Sequence, residues 1–180
     1  MQQLEKFRRD VDQFMRDHPQ SPLEHEQRHE FDGLNYYPPN PDLIIETEVE
    51  RLPDDEPVIE MQTSTGSTQP FRRWGQFSFN VDGDETALTL YSDPQGRDFF
   101  LPFKDTTNGQ ETYGAGRYMD DHRPAIVRLD NNRFRFDFNY AYNPYCAYSA
   151  MYSCPLPPRE NWLEVPIRAG EKAFESDHAY

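Results

Sequence analysis

The chain has 180 residues, 36% apolar and 14% aromatic, with 18 basic against 32 acidic side chains and a net charge of -14. That length is about one domain's worth, long enough for a core without disulfide or metal staples, and the charge argues against a nucleic-acid partner, whose phosphates are held by clustered Lys and Arg. There is no run of about 18 apolar residues to span a membrane and no apolar signal core in Met1 to Asp10, so a cytoplasmic location is expected.

Among the basic residues only Lys6, Lys104 and Lys172 are lysine. An acidic, lysine-poor surface suits a halophilic cytosol, because carboxylates hold water while salt screens their mutual repulsion.

Leu4, Phe7, Val11 and Phe14 recur at three- and four-residue spacing, which predicts an amphipathic helix to about Asp17, stopped by His18-Pro19. Ser21-Pro22 and Glu24 predict the cap and first turn of a second short helix reaching about Phe31. After the extended, proline-rich Gly33 to Pro41, strands are expected at Leu43 to Glu50, Val58 to Thr63, Arg73 to Asn80, Ala87 to Tyr91 and Asp98 to Leu101. Turn signals such as Thr65-Gly66, Asp82-Gly83 and Asp93-Pro-Gln-Gly96 separate them. Further strands are expected at Tyr113 to Met119, Ala125 to Leu129 and Arg133 to Phe138, with a hairpin turn at Asp130-Asn-Asn132 and an edge strand at Leu163 to Ile167. The expected fold is mainly β: an antiparallel barrel or sandwich of about eight or nine short strands with one or two N-terminal helices. It forms a single domain over 1–180, with a helical N-terminal arm at 1–32, a β-rich body at 40–172 and a frayed tail at 173–180.

Two polar-aromatic segments stand out. Phe134 to Pro158 concentrates five tyrosines and both cysteines beside Asp137, Asn139 and Asn143. Exposing each large apolar side chain costs roughly 1.5–3 kcal/mol, so much of this segment is expected to pack inward and take its polar groups along. The other, Leu101 to Tyr118, carries Gly109, Gly114 and Gly116. Gly114-Ala-Gly116 is not a phosphate loop, since it lacks the lysine and the following helix.

The blocks Phe103-Lys-Asp-Thr-Thr-Asn-Gly-Gln-Glu-Thr-Tyr113-Gly-Ala-Gly-Arg-Tyr118, Asp137-Phe-Asn-Tyr-Ala-Tyr-Asn-Pro-Tyr-Cys-Ala-Tyr148, Cys154-Pro-Leu-Pro-Pro158 and Glu160-Asn161 closely resemble the signature of the domain-of-unknown-function 1684 family. The resemblance extends from the helical N-terminus through Ala169-Gly-Glu-Lys172. It implies membership of an uncharacterised bacterial and archaeal family, with no activity, cofactor or catalytic role to carry over. Tyr145 stands where the family pattern has a small residue or proline, a change that alters the shape of any pocket there.

Alternation in Arg133 to Asn139 sets Phe134, Phe136 and Phe138 against a core and Arg133, Arg135, Asp137 and Asn139 on the opposite face. In Tyr113 to Met119 it groups Tyr113, Ala115 and Arg117. Arg117, whose planar fork matches a carboxylate, is expected to pair with Asp137 or Glu111. Such a pair is also a common structural clamp. Cys146 and Cys154 lack zinc-knuckle spacing and a nearby histidine, so buried thiols are expected first, a short-loop disulfide second and metal ligation third. Asp105, Glu111, Asp137 and Glu160, with Asn139, Asn143 and Asn161, are hard oxygen ligands, but nothing fixes their distances and no metal site is assigned.

Three functional readings follow. The first is a small-ligand binding module, its pocket lined by Tyr113, Tyr142, Tyr148 and Trp162 and anchored by Arg117, Asp137, Asn139 and Asn143. The second is a hydrolase-like enzyme with Glu111 or Asp137 as general base and Arg117 stabilising charge, although it lacks a visible nucleophile. The third is a structural or interaction protein whose blocks form a closed, hydrogen-bonded plug.

Overall fold

Phe134 and Phe136 of one strand, with Phe138 just past its end, face Trp74, Phe77 and Phe79 of another, and the contact between these two aromatic rows sets the architecture. Phe77 stacks on Phe136 at 4.0 Å between ring centroids, with planes 5° apart. Trp74 meets Phe134 at 5.4 Å and Phe79 meets Phe138 at 5.4 Å. All six rings are buried, each worth roughly 1.5–3 kcal/mol relative to exposure in water.

The computed structural model describes residues 1–174. The smaller sheet has the order β1-β9-β8, formed by β1 (Ile44–Glu48), β8 (Ile126–Asp130) and β9 (Arg133–Asp137), all antiparallel. The larger comprises β2 (Glu50–Arg51), β3 (Val58–Gln62), β4 (Thr68–Val81), β5 (Asp84–Ser92), β6 (Phe99–Phe103) and β7 (Arg117–Asp120). Its order is β2-β4-β5-β6-β7, with β3 also paired to β4. The sheets do not close into a barrel but stack as a sandwich, the second of the two expected architectures.

The chain passes from one sheet to the other at Val49, which is buried between β1 and β2. The passage needs a glycine opposite: a Cβ on Gly75 would lie 2.5 Å from Val49 Cγ1 and 2.8 Å from the Glu50 carbonyl. The β4 ladder is irregular at this point, between Arg73 and Gly75. The β4–β5 hairpin turns through Asp82 at φ 52° and Gly83 at φ 89°, two left-handed residues of the kind that suit a two-residue hairpin. Strands β5 and β6 pair only at Tyr91–Phe100 and Ser92–Phe99. Beyond that the buried Asn161 side chain bridges them, accepting from the Thr89 amide (2.8 Å) and donating to the carbonyls of Thr89 (2.9 Å) and Pro102 (2.8 Å).

Helix α1 (Gln2–Asp17) runs as expected and ends where His18 turns extended. Its Leu4 joins the main core, while Val11, Phe14 and Met15 form a second cluster with Leu23, Phe31, Ala147 and Tyr148. Helix α2 (His25–Glu30) is shorter than expected because Glu24 caps it through a reciprocal bond with Gln27, leaving Ser21 outside. The Ser21 hydroxyl donates instead to the Met15 carbonyl (2.6 Å) and accepts from the Leu23 amide (3.2 Å). Among the described residues no helix is long and apolar enough to cross a membrane.

The expected strand Leu43 to Glu50 is divided at Val49 into β1 and β2 of different sheets, and two other expected strands differ. In place of the expected Tyr113 to Met119, the strand runs Arg117–Asp120, so the expected alternation does not hold. Tyr113 to Gly116 is a turn, closed by the Gly116 amide on the Tyr113 carbonyl. Leu163 to Ile167 is irregular, although Leu163, Val165 and Ile167 are buried; it docks through the Leu163 amide on Lys104 and the Ile167 amide on Asp105. The tail expected from 173 is anchored in its first two positions, since the Ala173 amide bonds to Glu111 and the Phe174 ring packs on Tyr148 and Phe31. Residues 175–180 of that tail lie outside the described residues.

Candidate functional site

Arg117, at the start of β7, has no solvent-exposed surface. One guanidinium nitrogen, Nη1, donates to the carbonyls of Ala169 (2.6 Å) and Glu171 (3.1 Å). The other, Nη2, donates to the Ile167 carbonyl (2.7 Å) and to Asp105 Oδ2 (3.4 Å). That carboxylate oxygen also accepts the Ile167 amide at 2.6 Å, and Thr107 donates to both Asp105 oxygens. Burial pushes the Arg117 pKa below the usual arginine value, and the Asp105 charge opposes the shift. The fork thus fastens the Ile167–Glu171 segment, a task for which a lysine has too few fixed donors.

The fastened segment delivers Glu171, only 3% exposed, beneath helix α1. Its Oε2 accepts the Asn143 amide and the Tyr148 hydroxyl, both at 2.8 Å, whereas Oε1 accepts no hydrogen bond among the described residues. Asn143 Nδ2 donates to the Lys172 carbonyl (3.0 Å) and to the Tyr148 hydroxyl oxygen (3.4 Å). Asn143 Oδ1 and the Tyr36 hydroxyl are buried with no hydrogen-bond partner among the described residues. Above lies a cleft of about 330 Å³. Phe7, Val11, Phe14 and Met15 of α1 and Leu34 form its apolar wall; Asn143, Tyr148, Glu171 and Arg123 supply the polar floor, and Tyr145 is at its rim. The Arg123 guanidinium sits 3.8 Å from the Tyr142 ring centroid.

Burial raises the Glu171 pKa, against the pull of Arg123, the Asn143 amide and the Tyr148 hydroxyl. A carboxyl whose folded pKa exceeds its unfolded one contributes stability below the ordinary carboxylate pKa and loses it as pH rises through the folded value. Glu171→Gln cannot ionise and retains an acceptor for Asn143. It is expected to melt with the wild type near about pH 4 and above it at about pH 8, by about 2–4 °C per kcal/mol for a chain of this length. Thermal melts across pH read this directly; parallel curves for the two proteins would contradict it.

Of the residues singled out from the sequence, Asn143 and Tyr148 line this cleft. Arg117 lies behind its floor, sealed, and its carboxylate partner is Asp105 rather than Asp137 or Glu111. Asp137 caps a short 3-10 turn through the Asn139 amide. Asn139 is buried rather than on an open face, exchanging bonds with the Asn40 amide (2.7 Å) and carbonyl (2.9 Å). Glu111 pairs at the surface with Arg168, which holds its pKa below the usual range. The Tyr142 hydroxyl bonds to Asp120, and its ring lies under Arg123. Tyr113 packs beside the cysteines, its hydroxyl donating to Cys146 Sγ. Trp162 is 48% exposed and bonds to the Pro157 carbonyl. Glu160, a candidate oxygen ligand, is held by Arg73 and Tyr91. Sequence reasoning missed Glu171, Arg123 and Tyr36; the available signal for the first was its place in Ala169-Gly-Glu-Lys172, next to a glycine at φ 80°.

No curated protein matches the chain. Among solved structures, it is similar to the solution NMR structure of an uncharacterized protein of Haloarcula marismortui, with 37% identity over 99% of this chain and 95% of the other and a TM-score of 0.71. A family profile described as "Protein of unknown function (DUF1684)" matches residues 29–172, and since that span is most of the chain, the protein belongs to the DUF1684 family.

Proposed function

We propose that the protein binds a small amphipathic ligand in the cleft beneath helix α1, with Asn143, Tyr148, Glu171 and Arg123 as its polar floor. The observation that carries this reading is the pairing of acceptors without donors: Glu171 Oε1, and the buried Asn143 Oδ1, beside an apolar wall. A buried acceptor left unsatisfied costs about 1–3 kcal/mol, so a ligand that brings N–H or O–H groups recovers energy the free protein forgoes. The body of such a ligand is apolar or aromatic, to match Phe7, Val11, Phe14 and Met15. Arg117 serves this reading from behind the floor, as a fastener, while Asp137 and Asn139 order the Phe138–Tyr140 turn and its contact with Asn40. The engagement of Glu111 with Arg168 and of Asp137 with a turn favours binding over the hydrolytic alternative.

Phenethylamine, an apolar ring with ammonium donors, tests the reading against hydrocinnamate, which has the same ring and no donor. The amine is expected to shift the NMR signals of Asn143, Tyr148 and Leu34 and to raise the melting temperature in a saturable way, with the acid inert and Asn143→Leu unresponsive. Equal effects of amine and acid, or none from either, would remove the basis for the proposal. The net charge of -14 and the scarcity of lysine support a further element of the same reading, a protein that works in a salt-rich cytoplasm.

A further inference from the structure

Away from the polar floor, Cys146 and Cys154 form a pair of buried free thiols within a cluster of Tyr118, Tyr113, Tyr145 and Tyr152. The Cys146 amide donates to Cys154 Sγ at 3.3 Å. The Tyr113 hydroxyl donates to Cys146 Sγ at 3.6 Å. Cys154 is itself held in place, its amide on Ser64 Oγ (3.1 Å) and its carbonyl accepting the Ser64 amide (2.9 Å). From this geometry we propose that Cys146 and Cys154 are a peroxide-reactive dithiol, and that its oxidation to a disulfide ties off the loop whose Tyr145 and Tyr148 line the cleft.

The asymmetry of the pair sets the roles. The neighbouring Cys154 side chain and the Tyr113 hydroxyl favour the Cys146 thiolate, bringing its pKa down to about 7, while the Cys154 pKa is pushed up beside it. The Cys146 thiolate attacks one oxygen of hydrogen peroxide and breaks the O–O bond, giving a sulfenic acid and, after protonation, water. The Cys154 thiol, losing its proton, then displaces the hydroxyl from the Cys146 sulfur, which leaves as a second water while the S–S bond forms. Two electrons pass from the two thiols to one peroxide. The Cys154 sulfur already lies 3.3 Å from the Cys146 amide nitrogen, so the bond requires side-chain rotation rather than a new chain path.

The test uses the whole folded protein, treated with hydrogen peroxide, alkylated and mapped by peptide mass spectrometry. Met151, at 87% exposure, takes up oxygen under the same treatment, so the readout is the cross-link and the thiol count, not total mass. A Cys146–Cys154 bridge is expected, reversible by dithiothreitol, forming faster as pH rises through about 7. In Cys154→Ala the reaction stops at a dimedone-reactive Cys146 sulfenic acid. Bridges between molecules, over-oxidation of Cys146 without a bridge, or thiols that react only after denaturation would each overturn the proposal. None of these outcomes depends on whether phenethylamine binds.

Discussion

Arg117→Ala is expected to lower the free energy of unfolding by about 3–5 kcal/mol, the range for removing one member of a buried ion pair. The loss has three parts. Asp105 is left as a buried carboxylate without its cation; the carbonyls of Ile167, Ala169 and Glu171 lose their donor; and a large side chain leaves a void in the wall formed with Phe103. Asp105→Asn is expected to cost less, since its amide oxygen still accepts from the Ile167 amide. Urea titrations of the three proteins decide the matter. An Arg117→Ala variant within about 1 kcal/mol of the wild type, a change typical of a partly exposed contact, would mean that the guanidinium is not the fastener of the floor. Whatever ligand binding the variant loses should scale with its unfolded fraction.

Gly170→Ala is expected to be nearly as damaging. At φ 80° an added Cβ would lie 2.6 Å from the Ala141 carbonyl oxygen, 2.8 Å from that of Phe138 and 2.9 Å from Ala141 Cβ. The left-handed backbone alone costs a side chain roughly 1–2 kcal/mol and overpacking a further 1–3 kcal/mol or so, together about 2–5 kcal/mol. Gly66→Ala separates the two contributions, because Gly66 has a similar φ of 82° but nothing within 4 Å of its missing Cβ. It should lose only the conformational part. Equal losses at the two positions would show that space around Gly170 is not limiting.

The parts of the fold legible in the sequence are those where one local pattern decides the outcome. Phe134, Phe136 and Phe138 alternate cleanly because one face of β9 and of the turn that follows it meets the opposite sheet, and Asp82-Gly83 marks a hairpin because few residues accept two consecutive left-handed conformations. Leu163 to Ile167 reads as a strand for its alternating apolar residues, yet Pro166 has no amide to donate and the segment docks through isolated bonds. The same limit applies to the candidate site. Asn143 and Tyr148 stand out because their segment is dense in polar and aromatic groups. Glu171 looks like one more surface acid in a chain with 32 carboxylates, and only the long-range contact with Arg117 explains why it is buried. Pairing Arg117 with Asp105 rather than Asp137 is likewise invisible to spacing, since a turn replaces the expected strand start at Tyr113 to Gly116.

The floor of the cleft joins two segments far apart in the chain: the Tyr37 amide bonds to the Gly170 carbonyl, the Lys172 amide to the Asn35 carbonyl, and Tyr36 bridges to Glu171. On the ribosome, Asn35 to Tyr37 therefore emerges long before its counterpart exists, and a nascent chain ending at Ala169 has neither Gly170 nor the buried acid to complete the cavity. The wall can be in place while the anchor is still being translated. Completion of the cavity is consequently a late event in the life of each molecule, reached when Gly170 to Lys172 closes against a segment that has been waiting for it.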